Sequence, residues 1–214
     1  MKDRIELKAG NTVVFAGDSI TDAGRIWPAY EPFGFGYVNF VANNLLARYP
    51  TYGLNIVNTG VSGNTIRNLE PRWKMHCLDH KPDVVSVLIG INDLLRRHMG
   101  PERACEGVEP DEYESVYRQI LSEAVEQCGS QLVLMEPFMF CEDASDQIFM
   151  GLADYIEVVR GMAEQFDAVL VPLQSRISEG MKQVPAASWS EDMVHPYVWA
   201  HAWISQRWFE ATKL

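Results

Sequence analysis

The stretch Val13-Val14-Phe15-Ala16-Gly17-Asp18-Ser19-Ile20-Thr21-Asp22 decides how this chain is read. Four apolar residues in succession, two of them β-branched, predict a short strand buried on both faces, as in the interior of a parallel sheet. The chain then meets a glycine, a carboxylate and a serine, which together form a turn. In an open parallel sheet ligands collect outside the carboxyl ends of the strands. Ser19 therefore stands where an α/β enzyme presents a nucleophile, whereas Gly-Asp-Ser alone is a commonplace turn.

The far end of the chain supplies what a serine lacks. Asp192-Met193-Val194-His195-Pro196 places a carboxylate and an imidazole three residues apart. A serine hydroxyl is a poor nucleophile until a base takes its proton, and a neutral histidine suits that task near neutral pH. Asp192 then fixes the tautomer of His195 and stabilises the imidazolium as it forms.

Between these ends, strand-like and helix-like segments alternate. Strands are predicted at 13–16, 54–58, 84–89, 132–135 and 168–171. Helical period is clear in Tyr113, Val116, Tyr117, Ile120, Leu121, Ala124 and Val125, and again in Ile148, Leu152, Tyr155, Ile156, Val159, Ala163 and Phe166. Pro82, Gly129, Pro137 and Pro172 mark the boundaries. This order predicts a parallel sheet covered by helices on both faces. Segments 25–36, 96–110 and 175–191 lack periodicity and are expected as loops kept for binding.

Two further turns open on the same sheet edge as Ser19. Asn58-Thr59-Gly60-Val61-Ser62-Gly63-Asn64 follows the second strand, and Gly90-Ile91-Asn92-Asp93 follows the third. A tetrahedral intermediate needs donors aimed at its oxyanion. The backbone N–H groups of Ser19 and Gly60 and the side-chain amide of Asn92 are the candidates. Asp18 is read as structural, and Asp93 as a helix cap.

Four segments, Gly17-Asp18-Ser19, Asn58-Thr59-Gly60, Gly90-Ile91-Asn92-Asp93 and Asp192-Met193-Val194-His195-Pro196, resemble in order the sequence blocks of the SGNH (GDSL-type) hydrolases. With Gly24-Arg25 and Ser62-Gly63-Asn64-Thr65 the chain is similar in particular to the intracellular carbohydrate acetylesterases of that family. The resemblance implies a flavodoxin-like three-layer α/β/α sandwich with a central five-stranded parallel sheet. It also implies ester hydrolysis through an acyl-serine, with no metal or other cofactor. The substrate it implies is an acetylated sugar such as a xylo-oligosaccharide. Block one ends in isoleucine where leucine is usual, and the glycine that many members carry after His-Pro is absent.

Composition narrows the alternatives. The 214 residues carry a formal charge of −11, which argues against nucleic acid and against anionic membranes as partners. A single domain over 1–214 is expected. The N-terminus lacks an apolar run of signal-peptide kind and no segment is long enough to span a bilayer, so a cytoplasmic location is expected. Cys77, Cys105, Cys128 and Cys141 show no metal or redox spacing and are expected as reduced thiols.

The remaining expectations concern the periphery. Trp27, Tyr30, Phe33, Phe35, Tyr37 and Trp189 suit stacking against a sugar or packing among themselves, and Arg25 and Arg67 are candidate substrate ligands. His76 and His80, with Cys77 between them, would share a helix face in the His-x-x-x-His spacing, but no further ligand cluster lies nearby, so a packing or solvated role is expected. Trp199, Trp203, Trp208 and Phe209 give the last helix an aromatic excess that would fit core or the seam of a homo-oligomer. The rival readings are a lysophospholipase or thioesterase acting on longer acyl chains and a catalytically silent sugar-binding protein on the same fold.

Overall fold

A computed structural model describes residues 1–25 and 31–214. Five strands form one sheet: β1 Thr12–Gly17, β2 Asn55–Asn58, β3 Val84–Leu88, β4 Gln131–Met135 and β5 Val169–Val171. Their spatial order is β2-β1-β3-β4-β5 and every pair is parallel. This is the flavodoxin-like order, and it places the carboxyl ends of β1, β2 and β3 side by side. All five predicted strands are present within one or two residues of their expected ends.

The helices are α1 Ser19–Asp22, α2 Tyr37–Arg48, α3 Ile66–Leu69, α4 Trp73–His76, α5 Ile91–Arg97, α6 Gly100–Arg103, α7 Pro110–Cys128, α8 Gln147–Gln165, α9 Leu173–Met181 and α10 Val198–Thr212. On one side of the sheet α10 packs against α2; on the other α7 packs against α8. The strands are buried on both faces, so they are apolar throughout rather than alternating. Segment 175–191 is not all loop: α9 runs through its first seven residues. Leu173, Ile177 and Met181 recur every four residues and are buried, a stripe too narrow to stand out in the sequence.

The aromatic excess of the last helix is largely internal. Trp208 is fully buried against Phe15 of β1, with ring centroids 5.8 Å apart, and its indole N–H donates to Ser86 Oγ of β3 at 3.1 Å. Phe209 lies beneath the Arg48 guanidinium, and Arg207 sits over Trp203. Trp199 alone of the four is exposed, at 44%. His201, on the same helix, is buried and accepts the Tyr37 N–H through Nδ1 at 3.2 Å, pinning α10 to the start of α2. Burial lowers its pKa to about 4, so it is a neutral core imidazole.

Candidate active site

Gly17 ends β1 because nothing larger fits. A Cβ there would lie 2.2 Å from the Leu88 carbonyl oxygen and 2.3 Å from Thr21 Oγ1. Asp18 follows as the N-cap of α1, accepting the Ile20 N–H at 3.0 Å, which leaves Ser19 at the first helical position, half-buried. Asp18 thus shapes the turn, as expected, and Ser19 owes its position to that cap.

The opposing imidazole comes from a pinched loop. Ser190 and Pro196 form an isolated antiparallel bridge, and the Tyr197 N–H donates to the Trp189 carbonyl at 2.8 Å, closing the loop at its neck. The Phe140 N–H donates to the Met193 carbonyl at 2.8 Å and ties the tip to the segment after β4. Met193 has φ +67°, a left-handed conformation that is uncommon for a residue with a side chain. That turn brings Asp192 and His195 face to face.

The result is a continuous relay. Ser19 Oγ lies 2.8 Å from His195 Nε2, and His195 Nδ1 lies 2.6 Å from Asp192 Oδ2. With Nδ1–H donating to the carboxylate, Nε2 is left as an acceptor for the serine hydroxyl. Asp192 Oδ1 is occupied separately by the N–H groups of His195 (2.8 Å) and Val194 (3.0 Å) and by the Ser190 hydroxyl (3.0 Å). Partial burial works against its ionisation, but the bonds from His195, Val194 and Ser190 outweigh it and hold the carboxyl well below the usual range.

The oxyanion side needs one correction. Gly60 was expected to offer its backbone N–H, but that group donates to Asn58 Oδ1 at 2.9 Å. Gly60 is instead a packing glycine, because a Cβ there would sit 2.3 Å from the Asp22 nitrogen. Three residues on, Gly63 has φ +77°, and its N–H finds no acceptor among the described residues. The loop that carries it is tied to the nucleophile turn: the Val61 N–H donates to the Gly17 carbonyl, and Ser62 donates through N–H and hydroxyl to Asp22 Oδ2 at 3.1 and 2.9 Å. Asn92 reaches the same loop, donating one amide hydrogen to the Asn64 carbonyl at 3.1 Å and keeping the other. The signal for Gly63 was present in Ser62-Gly63-Asn64, a second glycine turn on the same loop.

The expected substrate ligands are engaged elsewhere. Arg67 forms a two-pronged pair with Glu112, both contacts 2.7 Å, and donates to the Cys105 carbonyl. Arg25 donates to the Gly60 carbonyl at 2.8 Å and faces Asp22, so it braces the loop. Trp189 is 2% exposed, stacked on Phe140 and crossed by Trp199 and Trp203, and it anchors the neck of the histidine loop. Of the loop aromatics, Trp27 and Tyr30 lie outside the described residues. Phe33 packs partly buried against the core, Tyr37 is buried, and Phe35 is exposed with its ring edge-on to His201. Cys77, Cys105, Cys128 and Cys141 are free. His76 lies against Arg72 and, with His80, lines a cavity of about 260 Å³.

Two buried carboxyls underlie the site. Asp18 and Asp93 are 1% and 0% exposed, and each leaves one oxygen without a partner among the described residues. Asp93 caps α3, accepting the Ile66 N–H at 2.9 Å, and so joins the Asn92 turn to the Gly63 loop. It does not cap its own helix α5, whose N-cap is Gly90. Burial raises both carboxyls from 3.8 to about 7, against the hydrogen bonds that favour their ionisation. Between those values the folded state keeps protons that the unfolded chain gives up, so stability falls as pH rises from about 4 to about 7 and then levels. Asp93→Asn keeps the acceptor and removes the titration. Its stability loss between pH 5 and pH 8, measured by urea unfolding, is expected to be smaller than wild type by on the order of 2 kcal/mol. An unchanged difference would show that Asp93 is ionised in the native state at both pH values.

A parallel α/β sheet with a serine, histidine and aspartate relay at its carboxyl edge defines a serine hydrolase of the three-layer type. A sequence model of the GDSL-like lipase/acylhydrolase family matches residues 15–203, and the chain belongs to that family. It is a carboxylic ester hydrolase. An acetylxylan esterase from Geobacillus stearothermophilus is 36% identical over 201 residues, covering 92% of this chain and 91% of that one. A crystal structure of an acetylxylan esterase from that organism superposes with a TM-score of 0.91 at 34% identity, over 98% and 97% of the two chains. An α/β hydrolase from the metagenome of Lake Arreo, Spain, superposes equally well, with a TM-score of 0.91 at 31% identity over 97% of each chain. Structures of the Geobacillus enzyme described as catalytic mutants carry alanine for a serine, an aspartate and a histidine, the last two three positions apart. Asp192 and His195 have that spacing here.

Proposed function

We propose that this chain is a serine esterase that removes acetyl groups from carbohydrates, with acetylated xylo-oligosaccharides as the substrate class. The observation that carries the reading is the relay from Ser19 Oγ through His195 to Asp192, with contacts of 2.8 and 2.6 Å. Ser19 attacks the ester carbonyl while His195 takes its proton, and Asp192 holds the imidazole in the accepting tautomer. Negative charge develops on the carbonyl oxygen, and the N–H groups of Ser19 and Gly63 and the free amide hydrogen of Asn92 are the donors for it. His195 then passes its proton to the departing sugar hydroxyl. Water, deprotonated by the same imidazole, attacks the acetyl-serine, and acetate leaves as His195 returns the proton to Ser19 Oγ.

The open setting of the relay favours hydrolysis over transfer to another acceptor. The side chains of His195 and Asp192 are 53% and 52% exposed, so bulk water reaches the acyl-enzyme. The similarity to an acetylxylan esterase supports the acetyl and sugar parts of the reading.

Acetate release from acetylated xylo-oligosaccharides, together with fluorophosphonate labelling of the intact protein, tests both parts. The expected result is labelling at Ser19, and acetyl turnover at least about tenfold above that of an octanoyl ester of the same alcohol. Labelling without acetate release would keep the esterase and discard the substrate. Absence of labelling would overturn the mechanism.

A further inference from the structure

Arg72 lies just before α4, outside the relay and outside the donors assigned above. Its half-buried guanidinium donates to four acceptors: Nε to Asn64 Oδ1 at 2.7 Å, Nη1 to the Thr59 carbonyl at 2.7 Å and His76 Nδ1 at 3.2 Å, and Nη2 to the Gly17 carbonyl at 3.1 Å. No carboxylate pairs with it among the described residues. A half-buried cation with no direct ion pair depends on its hydrogen bonds, because desolvating the charge is unfavourable unless its donors are well used. These donors are used on main-chain and neutral groups around one feature.

Each acceptor adjoins a part of the site. Gly17 is the last residue of β1, two before Ser19, and its carbonyl also receives the Val61 N–H. Thr59 follows the end of β2, and its side chain in turn donates to the Phe15 carbonyl at 3.0 Å. Asn64 follows Gly63, and its own carbonyl takes the Asn92 amide. The planar fork of an arginine spans three such acceptors at fixed angles, which the single ammonium of a lysine does not. His76 completes the set: burial and the neighbouring charges of Arg72 and Arg25 lower its pKa, which keeps it neutral and Nδ1 free to accept.

We propose that Arg72 is the positioning residue of the oxyanion side, holding the nucleophile turn, the Gly63 loop and, through Asn64, the Asn92 amide at one fixed spacing. The inference rests on the esterase reading above, since the spacing matters because it aims donors at a developing oxyanion. Arg72 acts through the loops it binds and has no part in proton transfer. Burial lowers its pKa to about 10, and the charge of Arg25 adds to this, so it remains protonated throughout the neutral range.

The test compares Arg72→Lys and Arg72→Ala with Ser19→Ala. Displacing donors by about 1 Å is worth about 10²-fold in rate. Arg72→Lys is therefore expected to lose about 10- to 100-fold in kcat with KM held within about twofold. The acidic limb of its pH–rate profile should not move, because the relay does not run through Arg72. Affinity for a boronic acid, which forms a tetrahedral adduct on serine, should fall by the same factor as kcat. Methylguanidinium should restore part of the activity of Arg72→Ala and none of that of Ser19→Ala. Lysine-variant kcat within about threefold of wild type, a loss confined to KM, or a folded alanine variant indifferent to methylguanidinium would each overturn the proposal. Should the alanine variant fail to fold, the Arg72 Nε–H resonance of the wild-type protein decides. It should shift on boronate binding, and an unmoved resonance counts against the role. Full activity in Arg72→Lys beside a dead Ser19→Ala removes this inference alone, whereas activity in Ser19→Ala removes the reading beneath it.

Discussion

Ser19→Ala should lose about 10⁵- to 10⁶-fold in kcat for 4-nitrophenyl acetate while its thermal midpoint stays within a few degrees of wild type. Two features of the structure separate the chemical loss from any structural one. The helix cap at this turn is Asp18, which accepts the Ile20 N–H, so removing the Ser19 hydroxyl leaves the cap in place. The hydroxyl's partner is His195 Nε2, on a half-exposed imidazole that water reaches once the bond is gone. Alanine at a first helical position is unstrained, so a stability change below about 1 kcal/mol is expected. The substitution also preserves the backbone N–H groups and Asn92, so residual turnover measures what the oxyanion donors and substrate binding do alone. Wild-type turnover in a folded Ser19→Ala would mean that the ester is cleaved elsewhere on the molecule.

Much of this was legible in the sequence because the signals were local and independent. Four apolar residues before Gly17 state a buried parallel strand, and Asp-x-x-His-Pro places acid and base on one short loop whatever the distance to Ser19. The sheet order supplied the rest, since ligands gather where parallel strands end. The protein partners of Arg25, Arg67 and Trp189 were not legible, for a common reason. Residue type states what a side chain is able to bind, and not which of several nearby partners takes it. Glu112 takes Arg67 and the Gly60 carbonyl takes Arg25, while a stack of three aromatic neighbours takes Trp189.

Gly60 failed more instructively. Two glycines lie three residues apart on one loop, and sequence alone does not say which N–H is spent. The Asn58 side chain folds back onto Gly60 in a local turn of the kind short polar residues favour, and the donor is consumed. Gly63, in the left-handed region, keeps its own. Arg72 was invisible for a different reason: two of its four acceptors are main-chain carbonyls 13 and 55 residues away, which carry no side-chain signature, and the other two are neutral side chains that do not announce an arginine partner.

Asp192→Asn should reduce kcat by about 10³- to 10⁴-fold with little change in KM, and the cause is a tautomer rather than a lost charge. Asp192 Oδ1 faces three donors, the Ser190 hydroxyl and the N–H groups of Val194 and His195. Asparagine at this position keeps its oxygen toward those three, because the two backbone N–H groups are unable to accept. Its NH2 group is then turned toward His195 Nδ1, which lies 2.6 Å from Oδ2 in the native pair. Facing a donor, Nδ1 becomes the acceptor and the ring proton moves to Nε2. That nitrogen faces Ser19 Oγ, so the base is capped at the atom that has to take the proton. The loop meanwhile keeps its backbone bonds, and the thermal midpoint should hardly move. Nitrogen chemical shifts of the His195 ring report the exchange of tautomers directly, with Nδ1 protonated in wild type and Nε2 protonated in the variant at the same pH. A kcat within about tenfold of wild type, with Nδ1 still protonated, would mean that the pinched loop alone orients His195 and that Asp192 serves only to close it.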